Sequence, residues 1–404
     1  MEEILQVNDY IDGIKNYVIE KRRYIHQHPE LSNQEFATSK LVKEELDKMG
    51  IVNEIVSEKN TGVIGVINGK NPGKTIALRA DMDALPVNEK TNLEFASTND
   101  GVMHACGHDA HTAMLLGAGK ILNEIKDDFD GTIYLIFQPA EEVLALEDDG
   151  AKYMMRNGDW YEKIDHIFGA HVFTSIPNGK VSVQAGGIMA GDASFEITIN
   201  GKSSHAANPE ESTDPVVIGS AIVMNLQTIV SRRYGANESV VCSVSTFNAG
   251  DSFNIIPQHA KLTGTIRYFK AEFKEKLQKD FREIVENTAR AYGTDVEIFY
   301  EDFGFPTINS KEHSNLAKIA AEKIYGKENI IEVAKNMGGE DFSFYIQEKP
   351  GVFALIGTGH EDDNKNHPNH SEKFNICDDK LNLGSALYAQ YAIEYLKSDL
   401  DKWV

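Results

Sequence analysis

The hydrophobic period of this chain changes twice, and that double change limits the folds open to it. Amphipathic runs of helical period at Asp12 to His28, Ser32 to Met49 (stopped by Gly50), Asp109 to Ile125 and Gly150 to Arg156 alternate with short apolar strand patterns. The strand patterns fall at Gly62 to Ile67, Thr75 to Arg79, Thr132 to Phe137 and His166 to Val172. Such alternation marks an α/β sheet with helical crossovers. From about Ala193 the period drops to two: Phe195, Ile197 and Ile199, then Val240, Cys242 and Val244, then Leu262 to Arg267, with long helical patterns at about Asp214 to Arg233 and Ala271 to Tyr292. Half-buried strands with helices on one side describe an α+β sandwich. The α/β pattern returns at about Ser310, with a helix to Tyr325, a strand at Val352 to Ile356 and a helix from Leu381 to Lys397. The fold class is therefore α/β: residues 1–186 and 303–404 form one discontinuous domain, interrupted by an α+β domain at 187–302.

A chain of 404 residues buries a core without disulfide or metal staples, so a metal here would serve chemistry. Lys and Arg number 40 against 62 Asp and Glu, a formal charge of -22, which repels a phosphate backbone and argues against a nucleic-acid partner. No apolar run reaches the roughly 18 to 20 residues of a membrane span, and the acidic start MEEILQVNDYIDGIK lacks the features of a secretory signal. Cys106, Cys242 and Cys377 are odd in number and far apart, which fits a reducing compartment. A cytoplasmic protein is the expectation.

Cys106-Gly107-His108-Asp109 with His111 packs a thiol, imidazoles and a carboxylate into one short stretch, the mark of a metal site or a reactive thiol. Metal-site partners lie where the pattern ends strands, the place open α/β sheets use for sites. Cys106 can bridge two ions as a thiolate and His108 can bind one. Proline at 139 ends the Thr132 to Phe137 pattern before Glu141-Glu142, and adjacent glutamates on non-helical backbone point apart, so one can bind metal while the other faces substrate. His171 ends the next apolar pattern, and any of His360, His367 or His370 can close the set.

These segments resemble peptidase family M20, and within it the amidohydrolase branch of hippurate hydrolases, N-acetyl-diaminopimelate deacetylases and related N-acyl-amino-acid hydrolases. The likeness is carried by Arg22 to Ser32, Arg79 to Pro86, Met103 to His111, Gln138 to Glu142 and Gly338 to Phe342, in order. It implies a zinc-peptidase-like catalytic domain with an inserted lid domain that often dimerises. It also implies two divalent ions, zinc, manganese, cobalt or nickel, held by Cys106, His108, Glu142, His171 and His370. Phe374, four positions on, selects His370 over His367, and the set closes without His111. By the same resemblance Glu141 is the general base, Asp83 orients a ligating histidine, His205 in Gly201 to Ala207 polarises the scissile carbonyl, and Asn254 and Arg267 contact substrate. Departures at Val143 to Asp149, Ser203-Ser204, Pro209-Glu210 and Ser371-Glu372 bear on substrate choice and lid flexibility.

The implied activity is hydrolysis of an N-acyl amino acid, or a dipeptide, to a carboxylic acid and an amino acid. A hydroxide shared by the two ions attacks the amide and Glu141 moves the protons. The expected partners are this small substrate and a second copy of the chain. Two other classes compete. A hydrolase using Cys106 as nucleophile would tolerate a chelator, and a non-catalytic binding protein would hold metal without turnover.

Overall fold

The computed structural model describes residues 7–57, 60–143 and 150–400. The chain divides into two compact units. The first comprises the described residues up to Gly186, with Ile308–Ala334 and Phe344 onward; the second comprises Gly187–Thr307 and Lys335–Ser343.

The first unit is built on a seven-stranded sheet in the order Val52–Ser57, Asn60–Asn68, Thr132–Gln138, Thr75–Asp81, His166–Pro177, Gly351–Gly359, Val181–Ser182. The four strands from Thr132–Gln138 to Gly351–Gly359 run parallel to their neighbours and the outer pairs antiparallel. Thr75–Asp81 and Thr132–Gln138 are buried almost throughout, as sheet strands covered on both faces must be. Helices Ile11–Gln27, His108–Glu124, Lys311–Tyr325 and Leu381–Lys397 supply Val18, Leu116, Ala317 and Tyr391 to the core.

Two elements depart from their sequence patterns for visible reasons. The second helix begins at Phe36 rather than Ser32, because the Ser32 hydroxyl donates to Asp83 Oδ2 at 2.6 Å and the Glu30 carboxylate accepts the amides of Ala37 and Thr38 at 3.0 and 2.8 Å. The strand expected to end at Val172 continues to Pro177. It loses its Thr75–Asp81 neighbour after Gly169 but keeps pairing with Gly351–Gly359. His171 therefore sits beside a sheet edge without ending a strand.

The second unit is a four-stranded antiparallel sheet, ordered Val240–Ala249, His259–Tyr268, Gly191–Asn200, Val296–Gly304. Ala193, Phe195, Ile197 and Ile199 are buried and the residues between them less so. They pack with Ile218, Ile222 and Leu226 of helix Pro215–Thr228 and with Leu277, Phe281 and Val285 of helix Phe273–Ala291. Asp214 caps the first of these, accepting from Val216 N at 2.8 Å with Pro215 at the first helical position, the arrangement that starts helices most readily. The helical run Pro215–Arg233 is long and apolar enough by composition to cross a membrane; its buried residues belong to this unit's core.

Candidate metal centre

The sheet of the first unit and the helix that follows it deliver the cluster. Cys106 and His108 flank Gly107, whose φ is +103° and where a Cβ would collide with Val172 Cγ2. Glycine is required by backbone and by space alike. His108 opens the helix His108–Glu124. Its Nδ1 lies 3.2 Å from Asp83 Oδ1. A carboxylate only accepts, so Nδ1 carries hydrogen and Nε2 faces the cluster. Asp83 is itself held by Ser32 and by the amide of Glu142 at 2.9 Å. It thereby ties the helix start to the glutamate pair.

His171 is fixed in the same way, its Nδ1 2.8 Å from the carbonyl oxygen of Val172 and its Nε2 3.4 Å from Cys106 Sγ. His370 has φ +69°, unusual for a residue with a Cβ and a strain that clusters at functional sites. Its amide donates to Ala105 O at 2.7 Å and its Nε2 lies 3.3 Å from Glu142 Oε1. His108 Nε2 is 3.8 Å from Glu142 Oε1 and 3.9 Å from Glu141 Oε2. Donor atoms of Cys106, His108 and His171 lie within 4.8 Å of one another, and so do those of Cys106, Glu142 and His370. The two triads share one sulfur. His360 and His367 join no such group among the described residues.

The donor set fits divalent cations. Among the described residues, His108 Nε2 is buried without a hydrogen-bond partner, an expensive condition that a cation relieves. Burial works against charge on His108, yet Asp81, Cys106 and Asp83 outweigh it and raise its pKa well above the ordinary range, so the surroundings of this imidazole call for positive charge. Burial, then Glu142, pushes the Cys106 thiol up to about 12.

Two further residues support the cluster. His111 Nδ1 is 2.5 Å from Asp81 Oδ1 and its Nε2 accepts the amide of Val172 at 2.9 Å. A neutral imidazole thus locks the backbone beside His171. Asp81 also pairs with Arg79 at 2.8 Å, whose Nε binds Gln138 Oε1 at 2.8 Å. Glu35 accepts the amides of Ala140 at 2.9 Å and Asn33 at 3.0 Å and the Thr61 hydroxyl. It holds Ala140, at φ +56°, in the turn that presents Glu141, while burial and then Asp83 lift its pKa to about 7. His111 lay in plain view in the Met103 to His111 motif; Glu35 carried no spacing signal.

His205, Asn254 and Arg267 belong to the second unit. The segments of His205 and Asn254 are adjacent: His205 pairs with Ile255, and the Ala206 amide donates to Asn254 O at 3.0 Å. His205 Nδ1 accepts the Ala207 amide at 3.1 Å, leaving Nε2–H to donate outward. Arg267 stands opposite Asp192 on the neighbouring strand and binds it through Nη1 at 2.7 Å. Of the bulky stretch Val143 to Asp149, residues 144–149 lie outside the described residues.

An α/β sheet holding thiol, imidazole and carboxylate donors in this arrangement defines a metal-dependent hydrolase. The profile of peptidase family M20/M25/M40 matches residues 77–394, and the chain belongs to that family of amidohydrolases. "Thermostable carboxypeptidase 1" of Saccharolobus solfataricus is 39% identical over 396 residues, 98% of this chain and 99% of that protein. "IAA-amino acid hydrolase ILR1-like 2" of Arabidopsis thaliana is 40% identical over 391 residues, 96% of this chain and 87% of that one. The crystal structure of the Bacillus subtilis YXEP protein, described as a dinuclear metal binding peptidase from the M20 family, superposes with a TM-score of 0.83 at 34% identity, over 96% of this chain and 99% of that chain.

Proposed function

We propose that this enzyme hydrolyses the amide bond of N-acyl amino acids to a carboxylic acid and an amino acid, with two divalent cations held by Cys106, His108, Glu142, His171 and His370. The observation that carries this reading is the pair of donor triads sharing Cys106 Sγ with Glu141 beside them. The Arabidopsis relative, by its name, acts on an amino acid conjugate, and the Bacillus protein is described as dinuclear.

Cations bound there supply Lewis acidity that acidifies water and draws charge from the scissile carbonyl. Glu141 takes the proton of the attacking water and delivers it to the leaving nitrogen. Asp83 holds His108 in the tautomer whose Nε2 is a ligand. His205 donates through Nε2–H to the carbonyl oxygen as charge grows on it. Asn254 contacts substrate from the same hairpin. Arg267, with Nη1 on Asp192, offers its remaining N–H groups to the carboxylate of the amino acid. Zinc, manganese, cobalt and nickel all suit the set. A dipeptide is the second reading, favoured by the carboxypeptidase relative. A reducing cytoplasm suits the free thiol of Cys106.

The partner is a second copy of the chain. In the second unit, Val216, Val217 and Met224 project apolar surface from helix Pro215–Thr228, and Val240–Ala249 is an outer strand of its sheet. Exposed strand edges and apolar faces invite a mate.

Dipicolinate treatment, refilling with each metal separately and assay on N-acetyl, N-benzoyl and indole-acetyl amino acids test the proposal. Activity should vanish with chelation and return with metal. Activity indifferent to the chelator, or metal-loaded protein inert towards the whole series, would refute it.

A further inference from the structure

Glu35 is fully buried in the first unit, yet it takes no proton and holds no ion in the proposed mechanism. Its Oε1 accepts two amides, from Asn33 at 3.0 Å and from Ala140 at 2.9 Å, and its Oε2 takes the Thr61 hydroxyl. Asn33 and Ala140 have φ of +63° and +56°, two of the four non-glycine residues at positive φ among the described residues. Backbone of that kind persists only where the surroundings impose it. Here a single oxygen atom holds both turns. The anchor beneath it is firm as well, since Thr61 lies on the strand Asn60–Asn68 and its carbonyl oxygen accepts the Ser39 hydroxyl.

The Ala140 turn follows the strand Thr132–Gln138 and leads into Glu141-Glu142. The amides on either side of Glu141 are each held by a buried carboxylate, that of Ala140 by Glu35 and that of Glu142 by Asp83 Oδ2 at 2.9 Å. The two clamps differ. Asp83 also meets His108 Nδ1, so disturbing it disturbs a metal ligand. The hydrogen bonds that Glu35 accepts come from Asn33, Ala140 and Thr61, and none of these belongs to the proposed ligand set. We propose that Glu35 is a positioning residue for the hydrolysis: it sets the backbone from which Glu141 reaches the attacking water, and it acts on the rate through Glu141 alone. This rests on the reading of Glu141 as the general base. A reacting group misplaced by about 1 Å costs on the order of 100-fold in rate.

The test is a double-mutant cycle on metal-loaded protein, with whichever of the N-acetyl, N-benzoyl and indole-acetyl amino acids is turned over fastest as substrate. Glu35→Ala should lower kcat by about 10- to 100-fold while KM stays within about twofold of wild type and metal content by mass spectrometry is unchanged. Glu35→Gln should recover most of the loss. Its Oε1 still accepts both amides, and burial, then Asp83, already lifts the carboxyl pKa to about 7, so the acceptor matters more than the charge. In the Glu141→Gln background, Glu35→Ala should cost nothing further, because residues that act as one unit are not additive. Should the alanine protein fail to fold, Glu35→Asp, one methylene shorter, carries the same cycle. Losses that multiply in the double variant, glutamine no better than alanine, or a kcat that falls only as metal is lost would each overturn the proposal and leave Glu141 as the base. Full turnover by Glu141→Gln alone would instead refute the base, and this inference with it.

Discussion

The strand His166–Pro177 buries two histidines, His166 and His171, and their surroundings differ in kind. His166 Nε2 is 2.6 Å from the Tyr391 hydroxyl; its ring stacks on His313 at 4.3 Å and on Tyr395 at 4.6 Å. Among the described residues, His166 Nδ1 and His313 Nε2 are buried without hydrogen-bond partners, as His108 Nε2 is at the metal centre. What separates the two regions is anionic company. Asp81, Asp83, Glu141 and Glu142 crowd His108, whereas phenols and Lys74 surround His166 and His313 feels a single carboxylate, Glu312, against Lys74. An orphaned imidazole nitrogen is therefore a poor sign of chemistry unless carboxylates or a thiol converge on it.

The largest effect expected from that contrast is at Glu141. Glu141→Gln should lower kcat by about 100- to 10,000-fold, the usual scale for a general base, while metal content by mass spectrometry stays near wild type. Turnover close to wild type would dismiss Glu141 as the base. Next, His171→Ala should remove about half of the bound metal if each triad holds one ion, whereas His166→Phe should retain full metal and activity. Equal metal loss in both variants would erase the distinction between the two regions.

His111 refines it further. Its ring touches Asp81 and the amide of Val172, so His111→Phe keeps the volume and strands both partners. Metal affinity should weaken by about 10- to 100-fold, as for other residues that orient ligands through a neighbour, with His111→Gln recovering part. Competition with a chromophoric chelator reads this directly, and unaltered affinity would reduce His111 to packing.

The alternating pattern of the core elements was legible because both faces of their strands or one face of their helices are buried; Leu381–Lys397 falls where its period predicts. The outer strands Val52–Ser57 and Val296–Gly304 were not. An edge position leaves Val52 73% and Phe299 61% exposed, which blurs the alternation that marks a half-buried strand. At the site, residue type and motif point to Cys106, His108, Glu141 and Glu142, and a choice among three late histidines becomes geometric once His370 meets Glu142. Glu35 was illegible because its role is to accept an amide 105 positions away, a contact that no local spacing encodes. Arg267 shows the converse: the strand register supplies an Asp192 partner that the motif does not announce.

The smallest effect concerns protons at the tyrosine-lined end. Burial, then His313 and Lys74, holds His166 well below its ordinary value of 6.5. As pH falls through 6.5 the unfolded chain takes up a proton that the folded one refuses, so stability is lost on the acid side, with a limiting slope of about 1.4 kcal/mol per pH unit for one proton. Phenylalanine at 166 preserves the stack on His313 and Tyr395 and removes the titration, although His313, also lowered chiefly by burial, remains. Urea midpoints of wild type and His166→Phe, measured between pH 7.5 and 5.5, should therefore converge or cross as pH falls, the wild type losing about 1 kcal/mol more. Parallel curves would mean that His166 gains a proton or a partner in the folded protein. The two histidine environments would then differ less in their electrostatics than in their distance from the thiol of Cys106.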